Sequence, residues 1–568
     1  MDLQRTLLIG AIALLSFMLL TEWVAFKKAR TAPPVAESRL ITGTAETPTA
    51  PDLEVPPAPA TPDALSNDEI PQAPDMAAGP AAASATGTEP APIVQVFTNT
   101  LQLAIDLRGG DIIELAMPRQ LAKLDDPDTP FVLLEQNERR TYVAQSGLIG
   151  PDGIDSAGRA LFSSAQTRYE MGQGQDTLEV DLSYRTEQGV EIIKRFTLQR
   201  DDYLVQVDYL ISNNSQSRWQ ANLFGQLKRD SSPAPAGDTG GMGMQPFLGA
   251  AITQPDERFT KFSFSDMAEE PFKGQLPGGW IAMIQHYFLA AWIPSASQTH
   301  TYSTRVTRGG FNIAGFTSPA TVVDPGQSVT ISAQFYAGPK DQYRLEEISP
   351  YLDLSVDYGW LWWIAQPLFW LLIQIHDLVG NWGWSIVLLT VLIKLAFFRL
   401  SATSYRSMAN MRRVQPKMVS IREEFADDKQ KQSQAMMDLY KKEKINPMGG
   451  CLPILVQMPV FIALYWVLME SVELRHSPWI LWIDDLSVMD PYFVLPLLMG
   501  GSMWFMQKLN PPPPDPMQAK IMQWLPVIFT FFFLWFPAGL VLYWVVNNLL
   551  SMAQQWVITR QIEKAGVS

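Results

Sequence analysis

Residues 451–469 read CLPILVQMPVFIALYWVLM and residues 521–559 read IMQWLPVIFTFFFLWFPAGLVLYWVVNNLLSMAQQWVIT; neither stretch holds a charged side chain. A helix needs about 20 mostly apolar residues to cross the hydrocarbon core of a bilayer, so the first stretch suffices for one span and the second for two. Phe536-Pro537-Ala538-Gly539, near the centre of the second, marks a tight hairpin between its two helices. Residues 492–506 form a shorter apolar stretch between Asp490 and Lys508, and upstream Asp377 separates two more, 358–376 and 378–398. The C-terminal part of the chain is therefore expected to be an α-helical transmembrane bundle.

Charge orients that bundle. Residues 401–446 hold Arg406, Arg412, Arg413, Lys417, Arg422, Lys429, Lys431, Lys441, Lys442 and Lys444, more bases than acids, as cytoplasmic loops do. Residues 473–490 set Glu473, Asp484, Asp485 and Asp490 against Arg475, as suits an external loop. The C-terminus then returns to the cytoplasm. Trp360, Trp362, Trp363 and Trp370, with Pro367 among them, suit a helix lying in the outer interface, with an ordinary spanning helix as the alternative. Within the basic segment, 402–424 and 429–443 are rich in helix formers and Ala426-Asp427-Asp428 supplies a turn and an N-cap, which predicts a helical hairpin. Pro416 bends its first helix or marks its end.

The other end of the chain has a different character. Its 568 residues exceed what one core serves, and the mean hydropathy of +0.01 blends an apolar C-terminal part with a long polar one. Leu7 to Phe26 is long enough to span, lacks small residues placed for cleavage, and is followed by Lys27, Lys28 and Arg30; this favours an uncleaved anchor over 1–30. Those bases would lie outside, against the usual charge rule, which large following domains weaken. Residues 31–92, rich in Pro, Ala, Thr and acids, read as a disordered, extended linker. A net charge of −14 argues against a nucleic-acid binder, and no specific DNA binding is expected. Cys451 is the single cysteine, so no internal disulfide forms.

Between 93 and 345 short alternating runs appear: Leu101, Leu103, Ile105, Leu107; Leu178, Val180, Leu182, Tyr184; Val205, Val207, Tyr209, Ile211; Val329, Ile331, Ala333, Phe335. Each turns one face into a core. Gly109-Gly110, Asn213-Asn214, Gly240-Gly241 and Asp324-Pro325-Gly326 supply turns between such runs, so one large antiparallel all-β sandwich is expected. No metal-spaced His or Cys cluster and no Walker-type phosphate loop occurs, so neither an enzyme nor any metal or cofactor is expected.

The stretches KKEKINPMGGCLPILVQMPVFIALYWVLMESVELR, DLSVMDPYFVLPLLMG and VIFTFFFLWFPAGLVLYWVVNNLLSMAQQ closely resemble the YidC membrane protein insertases of Gram-negative bacteria. FGQLK (Phe224 to Lys228) and GGWIAMIQHYFLAAWIP (Gly278 to Pro294) resemble that family's periplasmic domain. The resemblance implies six transmembrane spans with the N-terminus inside, a periplasmic supersandwich at 93–345, an interfacial amphipathic helix within 346–380, and a five-helix insertase core at 381–560. It also implies a cytoplasmic helical hairpin at 401–446 and a short cytoplasmic tail at 561–568. The partners it implies are nascent membrane proteins, the Sec translocon with its accessory subunits, the ribosome and membrane lipids.

Lys394 joins chemistry to that function. It lies about 16 Å along a helix from Gly383, near the middle of a hydrocarbon core, where a lysine costs at least about 2.5–3.5 kcal/mol. Such a residue faces a watery cavity, or it snorkels to the cytoplasmic headgroups. In the family a basic residue here, often arginine, lies in a hydrophilic groove open to cytoplasm and lipid. Thr390, Gln457, Gln507, Asn547 and Asn548 are candidates for lining the same groove or for bonding helix to helix. Tyr543 and Trp544 fall where the family has aromatics along which clients slide. Arg412, Arg413 and Lys417 give the hairpin a basic face for lipid headgroups or ribosomal RNA, or serve topology alone. The rival classes are a channel or secondary transporter, which suits an intramembrane lysine, and a membrane-anchored periplasmic glycan-binding protein.

Overall fold

The computed structural model describes residues 69–71, 92–234, 246–254, 257–425, 428–443, 452–509 and 516–565. The anchor expected over 1–30, most of the linker over 31–92, the Gly240-Gly241 turn, Cys451 and the last three residues lie outside the described residues.

The alternating runs become strands because one face of each can leave water. Val205, Val207, Tyr209 and Ile211 are buried on the strand Leu204–Asn213, which pairs antiparallel with Ser328–Pro339 on one side and Val190–Gln199 on the other. That strand belongs to a nine-stranded sheet. A ten-stranded sheet faces it, in which Trp219–Arg229 lies antiparallel between Asn312–Val323 and Thr141–Ile149. One core fills the space between them, from Val94 and Leu103 through Phe196 and Trp219 to Phe335. Fully burying each such side chain stabilises by roughly 1.5–3 kcal/mol. One pairing departs from the antiparallel expectation: Ile93–Phe97 runs parallel to Arg168–Glu170.

Lys194 links the sheets. From Val190–Gln199 its ammonium crosses the sandwich and donates to the carbonyls of Gly109 (3.0 Å), Gly110 (2.8 Å) and Ser146 (3.1 Å). Beside it Arg159 pairs with Asp111 and Asp155.

Eight helices of the C-terminal part bear on the site. They are α1 (Trp362–Val379), α2 (Trp382–Ala396), α3 (Phe398–Glu424), α4 (Lys429–Lys442), α5 (Leu452–Glu470), α6 (Val494–Leu509), α7 (Pro516–Phe533) and α8 (Ala538–Ala565). Helix α1 buries Ala365, Phe369, Leu372 and Ile375 and exposes Trp362, Trp363 and Trp370. It runs past Asp377 and stops at Gly380, whose φ of 68° is the left-handed conformation that ends helices; Asn381 then caps α2 by accepting from the Trp384 amide. Helices α3 and α4 form a hairpin around Val414, Met418 and Leu439. Asp428 caps α4 from the predicted position, and α3 continues through Pro416. The α7–α8 turn is pinned to the loop before α6, where the amides of Ala538 and Gly539 donate to Val488 and Leu486 (2.7 and 2.9 Å).

Among the described residues no single helix is long and apolar enough to cross a membrane alone, but α2 and the first turns of α3, bent by 64°, reach that measure together. The sandwich meets the helices through polar contacts. Lys340 pairs with Glu470 at 2.7 Å with both side chains buried, and His286 bonds the Met469 carbonyl at 2.9 Å. Arg475 lies 5.5 Å from the rings of both Phe131 and Phe288.

Candidate functional site

The last turn of α2 carries Lys394 toward α8 and α5. Its ammonium donates to Ser551 Oγ at 2.8 Å and reaches Gln457 Oε1 at 3.5 Å. The Gln457 amide in turn donates to Asn547 Oδ1 at 2.7 Å, and Ser551 closes the circuit by donating to the Asn547 carbonyl at 2.6 Å. Four side chains from three helices thus form one polar cluster. Among the described residues the ammonium has no carboxylate within 4.0 Å, so its charge rests on neutral oxygens alone. A cation so placed retains its field and attracts an anion that comes within reach.

The other expected residues divide. Thr390 is fully buried and donates back to Ile386 in its own helix, at 2.7 Å. Asn548 turns away from its neighbour Asn547 and donates to Ser502 on α6 at 3.0 Å, a bond from helix to helix. Gln507 is half-buried on α6 and is not a partner of Lys394. Tyr543 is buried with its ring 6.1 Å from Phe461, its hydroxyl beside Gln457 without a closed hydrogen bond. Trp544 packs 4.7 Å from Phe461 and 5.9 Å from Phe533, so both aromatics sit in a cluster between α5, α7 and α8. In the hairpin Lys417 pairs with Glu443 at 2.6 Å, and the side chains of Arg412 and Arg413 lie outside the described residues.

Ser551 and Ser502 were missed in the sequence, as were Phe461 and Phe533. Ser551 had a signal: it stands four residues after Asn547, one turn along the same face.

Residues 93–371 match the family model described as the YidC periplasmic domain, and residues 374–565 match the one described as 60Kd inner membrane protein. The membrane protein insertase YidC of Stutzerimonas stutzeri (strain A1501) is 55% identical over 565 residues, covering 99% of this chain and 99% of that one. The chain belongs to the YidC family. The YidC insertase of Pseudomonas aeruginosa (strain LESB58) is 52% identical over 599 residues, covering 100% of this chain and 99% of its own. A solved structure titled as an active YidC insertase with the first transmembrane domain resolved covers 82% of this chain and 94% of that one, at 19% identity and a TM-score of 0.36. The two matched segments make this a bacterial inner-membrane protein whose β-sandwich is the YidC periplasmic domain. Lys394 and its partners all lie in the inner-membrane segment.

Proposed function

We propose that the protein moves hydrophobic segments of nascent inner-membrane proteins into the bilayer, alone or with the Sec translocon, through a hydrophilic groove open to cytoplasm and lipid. In this reading the chain crosses the membrane six times, α1 lies in the outer interface, and the α3–α4 hairpin meets ribosomes, lipid headgroups or clients in the cytoplasm. One observation carries the reading: the Lys394 ammonium, held between three helices by neutral side chains. An acidic client tail pairs with that ammonium and a polar one accepts from it, which lowers the cost of stripping the tail of water. The client's apolar segment then partitions into lipid, gaining roughly 25 cal/mol per Å² removed from water, a drive that needs no nucleotide. Trp544, half-buried, offers an apolar wall along which that segment passes, with the buried Tyr543 beside it, and Asn547 with Gln457 makes the polar floor.

The purified protein in liposomes, given a single-span client with an acidic translocated tail, tests this. Insertion without solute flux is expected, with most of it lost in Lys394→Ala and largely kept in Lys394→Arg, which retains the charge. Solute flux in place of insertion selects a channel. Equal insertion by the Ala variant on such clients removes Lys394 from the mechanism.

A further inference from the structure

On the strand Trp219–Arg229, Leu223 and Leu227 join the sandwich core, so Phe224, Gln226 and Lys228 face outward from the ten-stranded sheet. Yet Phe224 and Gln226 are only 1% and 2% exposed, which means something covers them. Part of the cover is the chain's own linker. The Glu69 carbonyl accepts from Gln226 Nε2 at 2.7 Å and from Arg305 at 3.1 Å, while its carboxylate pairs with Lys228 at 2.7 Å. Ile70 packs onto Phe224 and Ile149. Behind this contact the receiving groups are already braced, because Gln226 donates to Gln145 at 2.9 Å and accepts from Arg305 at 3.0 Å. Gly315 stands opposite Gln226 on the next strand, so no side chain rises from the floor there.

We propose that this face is a peptide-recognition furrow for an acidic-aliphatic segment, and that Glu69-Ile70, followed by Pro71, occupies it in cis, clamping the linker part-way along its length. The acidic and aliphatic positions are read by different chemistry. Lys228 takes the carboxylate, Gln226 and Arg305 take the backbone carbonyl, and Phe224 with Ile149 takes the aliphatic side chain. Braced donors lose little freedom on binding, which is what lets a short extended segment hold. The linker carries a second triplet of the same kind, Glu54-Val55-Pro56, one methylene smaller at the centre. It fits the same furrow roughly fourfold more weakly, the loss of one buried CH₂.

Two measurements on the full-length protein in detergent test the proposal. A glutamate-specific protease is expected to cut after Glu69 at least tenfold more slowly than after Glu46, which like Glu69 has a proline two residues on, and Lys228→Glu is expected to erase that difference without altering the cleaved sequence. A fluorescent peptide of sequence NDEIPQ, residues 67–72, is expected to bind a protein disarmed by Glu69→Gln with Ile70→Asp, and to be excluded from the wild type. Adding Lys228→Glu to the disarmed protein is expected to switch its preference to the same peptide with lysine in place of the glutamate, which a misfolded variant would not do. Cleavage after Glu69 as fast as after Glu46 in the wild type, or no peptide binding to the disarmed protein, overturns the proposal.

Discussion

Replacing Lys194 by Met is expected to flatten the pH dependence of the sandwich's stability. Burial pushes the Lys194 amine down from 10.5 to about 7, against the opposing pull of nearby Asp111 and with the help of Arg159. Between about pH 7 and 10.5 the unfolded chain therefore binds a proton that the folded one has released, so stability rises with pH across that window. Below pH 7 both states carry the charge, and the penalty for burying it is fully present. A depression of this size corresponds to about 5 kcal/mol across the window, with a slope approaching roughly 1.4 kcal/mol per pH unit. Methionine keeps the stem and removes the charge. The Gly109 and Ser146 carbonyls keep a donor in Arg159, at 3.1 and 2.9 Å, so only Gly110 loses its bond, at about 1–3 kcal/mol. The variant should thus be the more stable protein at pH 7 and lose that advantage by pH 10. The urea midpoint of the sandwich, followed by brief proteolysis at pH 7, 8, 9 and 9.5, reads this directly. A wild-type midpoint that stays still over that range, or a Met variant with the wild-type slope, refutes the reasoning.

Other perturbations have equally definite outcomes. Lys340→Ala strands the buried Glu470 carboxylate and should cost about 3–5 kcal/mol in thermal stability, whereas Lys340→Met with Glu470→Leu should return most of it, since both charges then go together. Burial raises the Glu473 carboxyl from 4.5 to about 7, so it contributes stability that is complete below pH 4.5 and lost as pH rises to 7; Glu473→Gln should remove that part of a melting-temperature profile. A methyl group on Gly500 would collide with Thr530 Oγ1, so Gly500→Ala should cost about 1–3 kcal/mol by separating α6 from α7, and Thr530→Ala should rescue it in a melt in detergent.

The strands were legible because a period of two needs only one buried face, and Val205 to Ile211 shows it without interruption. The α3–α4 hairpin was legible for a similar local reason, since Asp428 caps the backbone next to it. The break before α2 was not. Asp377 looked like the divider by charge, but a carboxylate tolerates a helix, and it is the left-handed Gly380 that ends one. The site was half legible. Lys394 announces itself by cost, and the amides by being polar in apolar helices, yet which amide meets which partner depends on how the helices are rotated. Asn547 and Asn548 are adjacent and serve different neighbours, and Glu69, in what reads as featureless linker, is held by three side chains from two strands.

Helix α8 has 28 residues, about 42 Å at 1.5 Å each, against a hydrocarbon core of about 30 Å. Helices α1, α3, α5, α6 and α7 each contain a proline, and α2, α4 and α8 have none. Helix α8 is the longest of the three that lack this usual point of flexure. Its first amides are tied to the loop at Leu486 and Val488, its middle carries Asn547 and Ser551, and further on Gln554 donates to the Phe398 carbonyl at 3.2 Å, at the corner where the hairpin leaves α2. A shaft gripped at three heights transmits torque. A load that turns Ser551 away from Lys394 is expected also to twist the hairpin's root and strain the loop at Leu486 and Val488, so strain applied at one end of α8 reaches the other through a single rigid body.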